Sequence, residues 1–268
     1  MLVTDDRQVS YQEYGSGPVA LLIHGSPGDA KAWARVAERL ADRYRVIAPD
    51  LPGHGGTPSP PADRESDIGY ASESIEAVVR HVGAPAVVAG HSYGGVVALT
   101  VALRGEVPVG ALALFEPVAL EALRMAGDLD AYTRAKDVFE DYIARVEGGD
   151  DGAVRRMIDF WFGDGTFGRM PQALIAYFRK EARSNSKDVR ATFRVSYSPD
   201  AFRRLEVPAA VIVGDRSPDI THRIARAIVA HVRSGSLTTL DNADHALTAT
   251  HVEAVAQAIA AIARPPAC

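Results

Sequence analysis

The sequence predicts an α/β protein: a mostly parallel sheet with helices on both faces, interrupted by a helical insertion. Three observations predict it. Short apolar runs alternate with segments of helical periodicity through residues 1–117. From about residue 118 to 201 helical patterns continue without a strong strand signal, and after that the strand–helix alternation resumes. The length of 268 residues and the 47% apolar composition allow a large core, which fits one domain with an insertion better than two independent domains.

Each element can be justified in turn. Val9, Tyr11 and Glu13 alternate as a strand does, and Val19-Ala20-Leu21-Leu22-Ile23 is apolar throughout, as a strand covered on both faces is. Trp33, Val36, Ala37 and Leu40 share a helix face, and Tyr44-Arg45-Val46-Ile47-Ala48 returns as a strand. Ile75, Val78, Val79 and Val82 repeat the helix spacing before the strand Ala86-Val87-Val88-Ala89. The run from Val96 to Leu103 is apolar on all sides and predicts a buried helix. The strand Val109–Phe115 ends at Glu116-Pro117. Within the insertion, Phe139, Tyr142, Ile143 and Val146 share one face, Val154, Met157, Ile158 and Trp161 a second, and Leu174, Tyr177 and Phe178 a third. Beyond it come the strand Ala209–Gly214, a helix from about Ile220 and the strand Ser236–Leu240. A last helix has Val252, Val255, Ala256 and Ile259 on one face, and Arg264–Cys268 reads as a frayed tail. The expected division is a core of residues 1–117 and 202–268 around an insertion of residues 118–201.

Composition excludes several roles. The formal net charge of −5 is spread in mixed sign, with no basic block for nucleic acid and no polybasic or amphipathic anchor for a membrane. The single cysteine, Cys268, allows neither an internal disulfide nor a cysteine-based metal site. No histidine pair has H-x-x-x-H spacing on a helix, so no metal is expected. The start, Met1-Leu2-Val3-Thr4-Asp5-Asp6-Arg7, lacks the features of a signal peptide, and no apolar stretch would span a bilayer. A cytoplasmic protein is expected.

The stretch that carries chemistry is Gly90-His91-Ser92-Tyr93-Gly94-Gly95, a G-x-S-x-G sequence between a buried strand and a buried helix. A strand that turns sharply into a helix lifts one side chain clear of the sheet. Here that is the hydroxyl of Ser92, while Gly90 and Gly94 lack the Cβ atoms that would clash and Gly95 lets the helix approach the sheet.

With this motif, the chain from about residue 8 to 263 resembles the α/β-hydrolase fold. His24-Gly25-Ser26-Pro27-Gly28 resembles the family's oxyanion loop, and Asp50-Leu51-Pro52-Gly53-His54-Gly55-Gly56-Thr57 its D-x-x-G-x-G-x-S/T loop. His245 follows the last strand in Asp241-Asn242-Ala243-Asp244-His245. The four motifs stand in the family's order. The resemblance implies an eight-stranded, mostly parallel sheet, a helical cap, and a cofactor-free serine hydrolase. In it Ser92 is the nucleophile, His245 the base, and the N–H groups of Tyr93 and Ser26 form the oxyanion hole.

The acid departs from the commonest family pattern. Where G-x-x-D is expected, the chain reads Gly214-Asp215-Arg216-Ser217. A second family location is the end of the sixth strand, where Glu116 stands. A carboxylate ending so apolar a strand needs a partner, so Glu116 is favoured, with Asp215 and then Asp219 behind it. Among the other histidines, His251, His222 and His231 are read as surface residues, and His24 and His54 as loop-structuring ones. His91 is expected beside the serine at the substrate, and Asp50 as a loop organiser. Phe160-Trp161-Phe162 packs the cap or lines an apolar lid, which makes Phe160 and Trp161 candidates for substrate contact. The expected partner is a small apolar molecule, by default a carboxylic ester. A C–C hydrolase, lactonase, amidase, non-hydrolytic cyclase or dehydratase, and a non-catalytic binding protein remain open.

Overall fold

The computed structural model describes residues 1–3, 7–62, 64 and 67–263, so the tail at 264–268 lies outside the described residues. The strands are β1 (Leu2–Val3), β2 (Gln8–Val9), β3 (Tyr11–Tyr14), β4 (Val19–Ile23), β5 (Arg45–Pro49), β6 (Val87–His91), β7 (Leu112–Phe115), β8 (Ala209–Gly214) and β9 (Gly235–Leu240). The helices of the core are α1 (Ala34–Leu40), α2 (Ile68–Val82), α3 (Tyr93–Arg104), α10 (Asp219–His231), α11 (Leu247–Thr250) and α12 (Val252–Ile262). Between β7 and β8 lie α4 (Glu121–Met125), α5 (Leu129–Glu147), α6 (Ala153–Phe162), α7 (Thr166–Arg169), α8 (Gln172–Thr192) and α9 (Pro199–Arg204).

The main sheet has the order β3-β5-β4-β6-β7-β8-β9 and is parallel except for β3 against β5. It has seven strands among the described residues, not the expected eight, because β1 and β2 pair only with each other. The reason lies at Ser10, between β2 and β3. Its N–H donates to Thr57 Oγ1 at 2.9 Å and its C=O accepts from the Asp50 N–H at 2.8 Å, so the 50–57 loop takes up the backbone there. The helical segment also runs past the expected boundary at residue 201, through Arg204, because Ser198 caps α9 at the Ala201 N–H.

Two apolar clusters cover the two faces of the sheet. On one face α2, α3, α10 and the inserted helices pack over Leu21, Ile23, Val88, Leu112 and Val211. On the other, α1 and α12 pack over Leu22, Ala48, Ala89 and Ile212. Trp33, 1% exposed, meets Phe115 edge to face at 5.9 Å between ring centroids. α3 is buried along nearly its whole length, as its all-round apolar sequence requires. Register does the rest. β6 and β7 pair His91 with Phe115, and β7 and β8 pair Phe115 with Ile212. Ser92 and Glu116, each one residue further on, therefore emerge side by side at the C-terminal edge of the sheet, where ligands bind in open parallel sheets.

The insertion is fastened to the core by a buried charged contact. His54 Nε2, in the loop after β5, lies 2.8 Å from Asp188 Oδ2 on α8, and the two side chains are 3% and 4% exposed. Burial alone would lower the His54 pKa, but the Asp188 hydrogen bond and charge, with a further bond to the Gly28 backbone, outweigh it and raise the value.

Two outcomes are expected. A Cβ on Gly94 would fall within van der Waals distance of the His24 and Ile23 carbonyl oxygens, whereas one on Gly105, at φ 66°, meets nothing within 4 Å. Gly94→Ala should cost about 3 kcal/mol or more in urea unfolding, and Gly105→Ala, strained only by its left-handed backbone, about 1–2 kcal/mol. The His54 stabilisation is present below its unfolded pKa of about 6.5 and is lost as pH rises through the raised folded value. Melting temperature should therefore fall more steeply with rising pH above about 6.5 in the wild type than in His54→Gln.

Candidate active site

Ser92 stands between β6 and α3 with φ 53° and ψ −119°, a conformation that a non-glycine residue adopts only when its surroundings enforce it. Those surroundings are visible. The Ser92 N–H donates to the Phe115 carbonyl at 3.0 Å, and its C=O accepts from the Gly95 N–H at 3.0 Å. Gly90 and Gly94 face backbone so closely that neither site has room for a Cβ. The strain turns the hydroxyl toward His245, whose Nε2 lies 3.1 Å from Ser92 Oγ.

The other face of the imidazole is held by Glu116. His245 Nδ1 is 3.2 Å from Glu116 Oε2. Glu116 also has a positive φ, 50°, and its side chain has no solvent exposure. Its second oxygen, Oε1, accepts the Gly214 N–H at 2.6 Å and the Ser217 hydroxyl at 2.8 Å. Burial pushes this carboxyl upward, yet the hydrogen bond and charge of His245, with the Gly214 and Ser217 donors, hold its pKa below the ordinary value. Ser217 occupies the position where an aspartate was expected and serves the carboxylate instead of replacing it. Asp215 and Asp219 are both exposed. The Asp215 N–H bonds the Leu240 carbonyl, and the Asp219 carboxylate pairs with Arg223 at 2.5 Å. The structure brings neither aspartate to His245.

The remaining histidines separate by role. His91 Nε2 donates to the His245 carbonyl at 2.8 Å, so it braces the loop carrying that residue. Burial, then the neighbouring His245, push its pKa down to about 3, which keeps it neutral. His24 donates from Nδ1 to the Gly25 carbonyl at 2.8 Å and accepts the Leu51 N–H on Nε2 at 3.0 Å. Burial, aided by His54, lowers it to about 4. Asp50 receives the Ala30 N–H at 2.7 Å and the Gly56 N–H at 2.9 Å, as a loop organiser does. His222 and His231 lie within α10 and are half-buried, not exposed; His231 Nδ1 folds back onto the Ala227 carbonyl at 2.7 Å. His251 is half-buried too, its Nδ1 2.9 Å from Thr250 Oγ1. None of these three reaches Ser92.

Ser92 and His245 open into a cavity of about 280 Å³, small for a ligand pocket. Its walls are mainly apolar side chains of the insertion and of the β7–α4 segment, among them Val118, Leu120, Met157, Ile158 and Phe162. Tyr93 and His91 also line it. Trp161 lies parallel to the His245 ring, 4.3 Å away at 14°. Phe160 is not on the cavity wall. It packs edge to face against Phe139 at 5.2 Å and Trp161 at 4.9 Å, because one helical step turns it to the far side of α6. The N–H groups of Ser26 and Tyr93 have no protein acceptor among the described residues; that of Tyr93 is the first of α3, with no carbonyl a turn before it.

Sequence reasoning missed the polar part of this wall. Ser26 Oγ donates to Asp188 Oδ2 at 2.5 Å and accepts from Asn185 Nδ2 at 3.1 Å. The Tyr142 hydroxyl donates to Asn185 Oδ1 at 2.8 Å. The inward face of α8 is Ile175, Ala182, Asn185, Asp188 and Thr192, while Leu174 and Tyr177, expected to be inward, are exposed. A signal was present: Asn185, Asp188 and Thr192 continue at helical spacing the stripe begun by Ile175 and Ala182.

Comparison with known proteins agrees with this architecture. Residues 20–258 match the model of the Alpha/beta hydrolase family. The (E)-2-((N-methylformamido)methylene)succinate hydrolase of Acinetobacter baylyi is 25% identical over 97% of this chain and 95% of its own. Lipase LipV of Mycobacterium tuberculosis is 36% identical over 51% of this chain and 52% of its own. An esterase from Exiguobacterium antarcticum superposes with a TM-score of 0.76 at 17% identity, covering 97% of this chain and 96% of that one, and so shares the fold. The matched span takes in the serine turn, the buried glutamate and the histidine loop, and the chain belongs to the alpha/beta hydrolase family.

Proposed function

We propose that this protein is a cofactor-free serine hydrolase that cleaves small, uncharged carboxylic esters through a Ser92–His245–Glu116 triad. One observation carries the reading: an unbroken hydrogen-bonded chain, 3.1 Å from Ser92 Oγ to His245 Nε2 and 3.2 Å from His245 Nδ1 to Glu116 Oε2.

The chemistry follows from that chain. Glu116 Oε1 is occupied by two donors, so Oε2 accepts a hydrogen bond from the His245 Nδ1–H and Nε2 is left free to accept. Nε2 takes the Ser92 proton as Oγ bonds the acyl carbon, and the carbonyl electron pair moves onto oxygen. The N–H groups of Tyr93 and Ser26 bind that oxyanion. The leaving alcohol takes the proton from His245, giving an acyl-enzyme. A water then gives a proton to His245 and attacks the acyl carbon, and the return of that proton to Ser92 releases the acid. During both attacks the imidazole is cationic, and Trp161, stacked upon it, stabilises the charge and excludes water.

The insertion acts as a cap over the acyl group. No lysine or arginine lines the cavity among the described residues. The relative from Acinetobacter is named for a succinate derivative. A substrate carboxylate in this cavity would meet Asp188 and no cation, so an uncharged substrate is favoured here.

The reading is tested by p-nitrophenyl butyrate hydrolysis together with intact-mass labelling by a fluorophosphonate. Wild type should hydrolyse the ester and gain one adduct, and Ser92→Ala should gain none while kcat falls by a factor on the order of 10⁴ or more. No adduct on the wild type, or the same adduct on Ser92→Ala, would sink the proposal. Glu116→Gln should lower kcat by about 10³–10⁴, with Asp215→Asn and Asp219→Asn within about threefold of wild type. Trp161→Leu should lower kcat about tenfold, and Trp161→Phe should retain more of it.

A further inference from the structure

Four polar side chains meet in the wall of an otherwise apolar cavity, and the proposed catalytic steps use none of their polar side-chain groups. Counting their hydrogen-bonding capacity shows what is left over. A carboxylate only accepts, so the Ser26 hydroxyl must donate to Asp188 Oδ2 at 2.5 Å, as His54 does from Nε2 at 2.8 Å. Having spent its proton, Ser26 Oγ can only accept from Asn185, which fixes the Asn185 amide with nitrogen toward Ser26 and oxygen toward Tyr142. Burial raises the Tyr142 pKa, in keeping with a phenol that keeps its proton and donates.

Two groups remain. Asp188 Oδ1 has no protein donor among the described residues, and it is not one of the buried side-chain atoms sealed away without a partner. Asn185 Nδ2 has a second hydrogen with no acceptor among the described residues. Both residues line the cavity, three apart on α8. The polar wall thus keeps one acceptor and one donor without a protein partner among the described residues. A hydroxyl, which donates once and accepts, is the smallest group that satisfies both. A carboxylate would set acceptor against acceptor. An ammonium has only donors and would leave the second Asn185 hydrogen without an acceptor.

Ser26 also sets the position. Its side chain touches Asp188, and its backbone N–H is one of the two proposed oxyanion donors. A group bound by Asp188 thus lies on the Ser26 side of the scissile carbonyl. We infer that Asp188 and Asn185 form a hydroxyl-binding subsite, which makes the preferred substrates esters of small hydroxy acids. This deepens the hydrolase reading and rests on it for the position of the carbonyl.

The test measures binding so that it does not depend on turnover. Affinities of methyl 3-hydroxybutyrate, each enantiomer separately, and of methyl butyrate are measured by NMR titration on Ser92→Ala. Without the subsite, the added hydroxyl would be desolvated in an apolar cavity and would weaken binding. With it, one enantiomer should bind at least about tenfold tighter than methyl butyrate. Asp188→Leu in the Ser92→Ala background should reverse that order. Asp188→Asn, which preserves shape and guards against a folding failure, should bring the two within about threefold. Equal or weaker binding of both hydroxy esters to Ser92→Ala, or a preference undiminished in both Asp188 variants, overturns the subsite. Ester hydrolysis that survives Ser92→Ala overturns the hydrolase reading separately, since the binding comparison uses no catalytic step.

Discussion

Glu116 is a carboxylate with no exposed surface at the end of an apolar strand, and bringing such a charge out of water costs several kcal/mol unless it is fully partnered. Its partners are the Gly214 N–H, the Ser217 hydroxyl and the His245 ring. Each comes from a different segment, the end of β8, the turn after it and the loop after β9. The carboxylate is satisfied only when β7, β8 and the histidine loop are all in register. The interaction that orients His245 toward Ser92 is thus also one that holds the C-terminal edge of the sheet together.

The same economy links the insertion to the core. Asp188 of α8 touches Ser26 in the loop after β4 and His54 in the loop after β5. The loop after β4 lines the cavity, and the helices above cannot lift away without breaking both buried contacts. Trp161 adds a second tie by stacking on His245. The inserted helices therefore touch the imidazole as well as line the cavity.

Much of this was legible in the sequence. The apolar runs located the strands of the core along the chain because a parallel sheet covered on both faces has few polar positions to confuse the pattern. Ser92 and His245 could be read from motifs whose glycines and loop positions have steric reasons. Glu116 could be read from the cost of an unpartnered carboxylate beside Phe115, and the exposed Asp215 and Asp219 had no comparable argument. Three things were not legible. The loss of the eighth strand depends on Ser10 bonding Thr57 and Asp50, which are distant in sequence. The turning of Phe160 away from the cavity depends on the rotation of α6, and adjacent aromatic residues cannot reveal which of them faces inward. The helical spacing of Asn185 and Asp188 with Ile175 and Ala182 marks their inward face, but their bonds to Ser26, Tyr142 and His54 join segments distant in sequence.

The central claim is that Glu116 fixes one tautomer of His245, with the proton on Nδ1 and the lone pair of Nε2 aimed at Ser92. Nitrogen-15 NMR of the histidine rings, at a pH where the imidazole is neutral, tests this most directly. The account predicts a protonated, pyrrole-like Nδ1 and a bare, pyridine-like Nε2 for His245, with the two populations mixing in Glu116→Gln. A protonated Nε2 in the wild type, or a spectrum unchanged by Glu116→Gln, would contradict it.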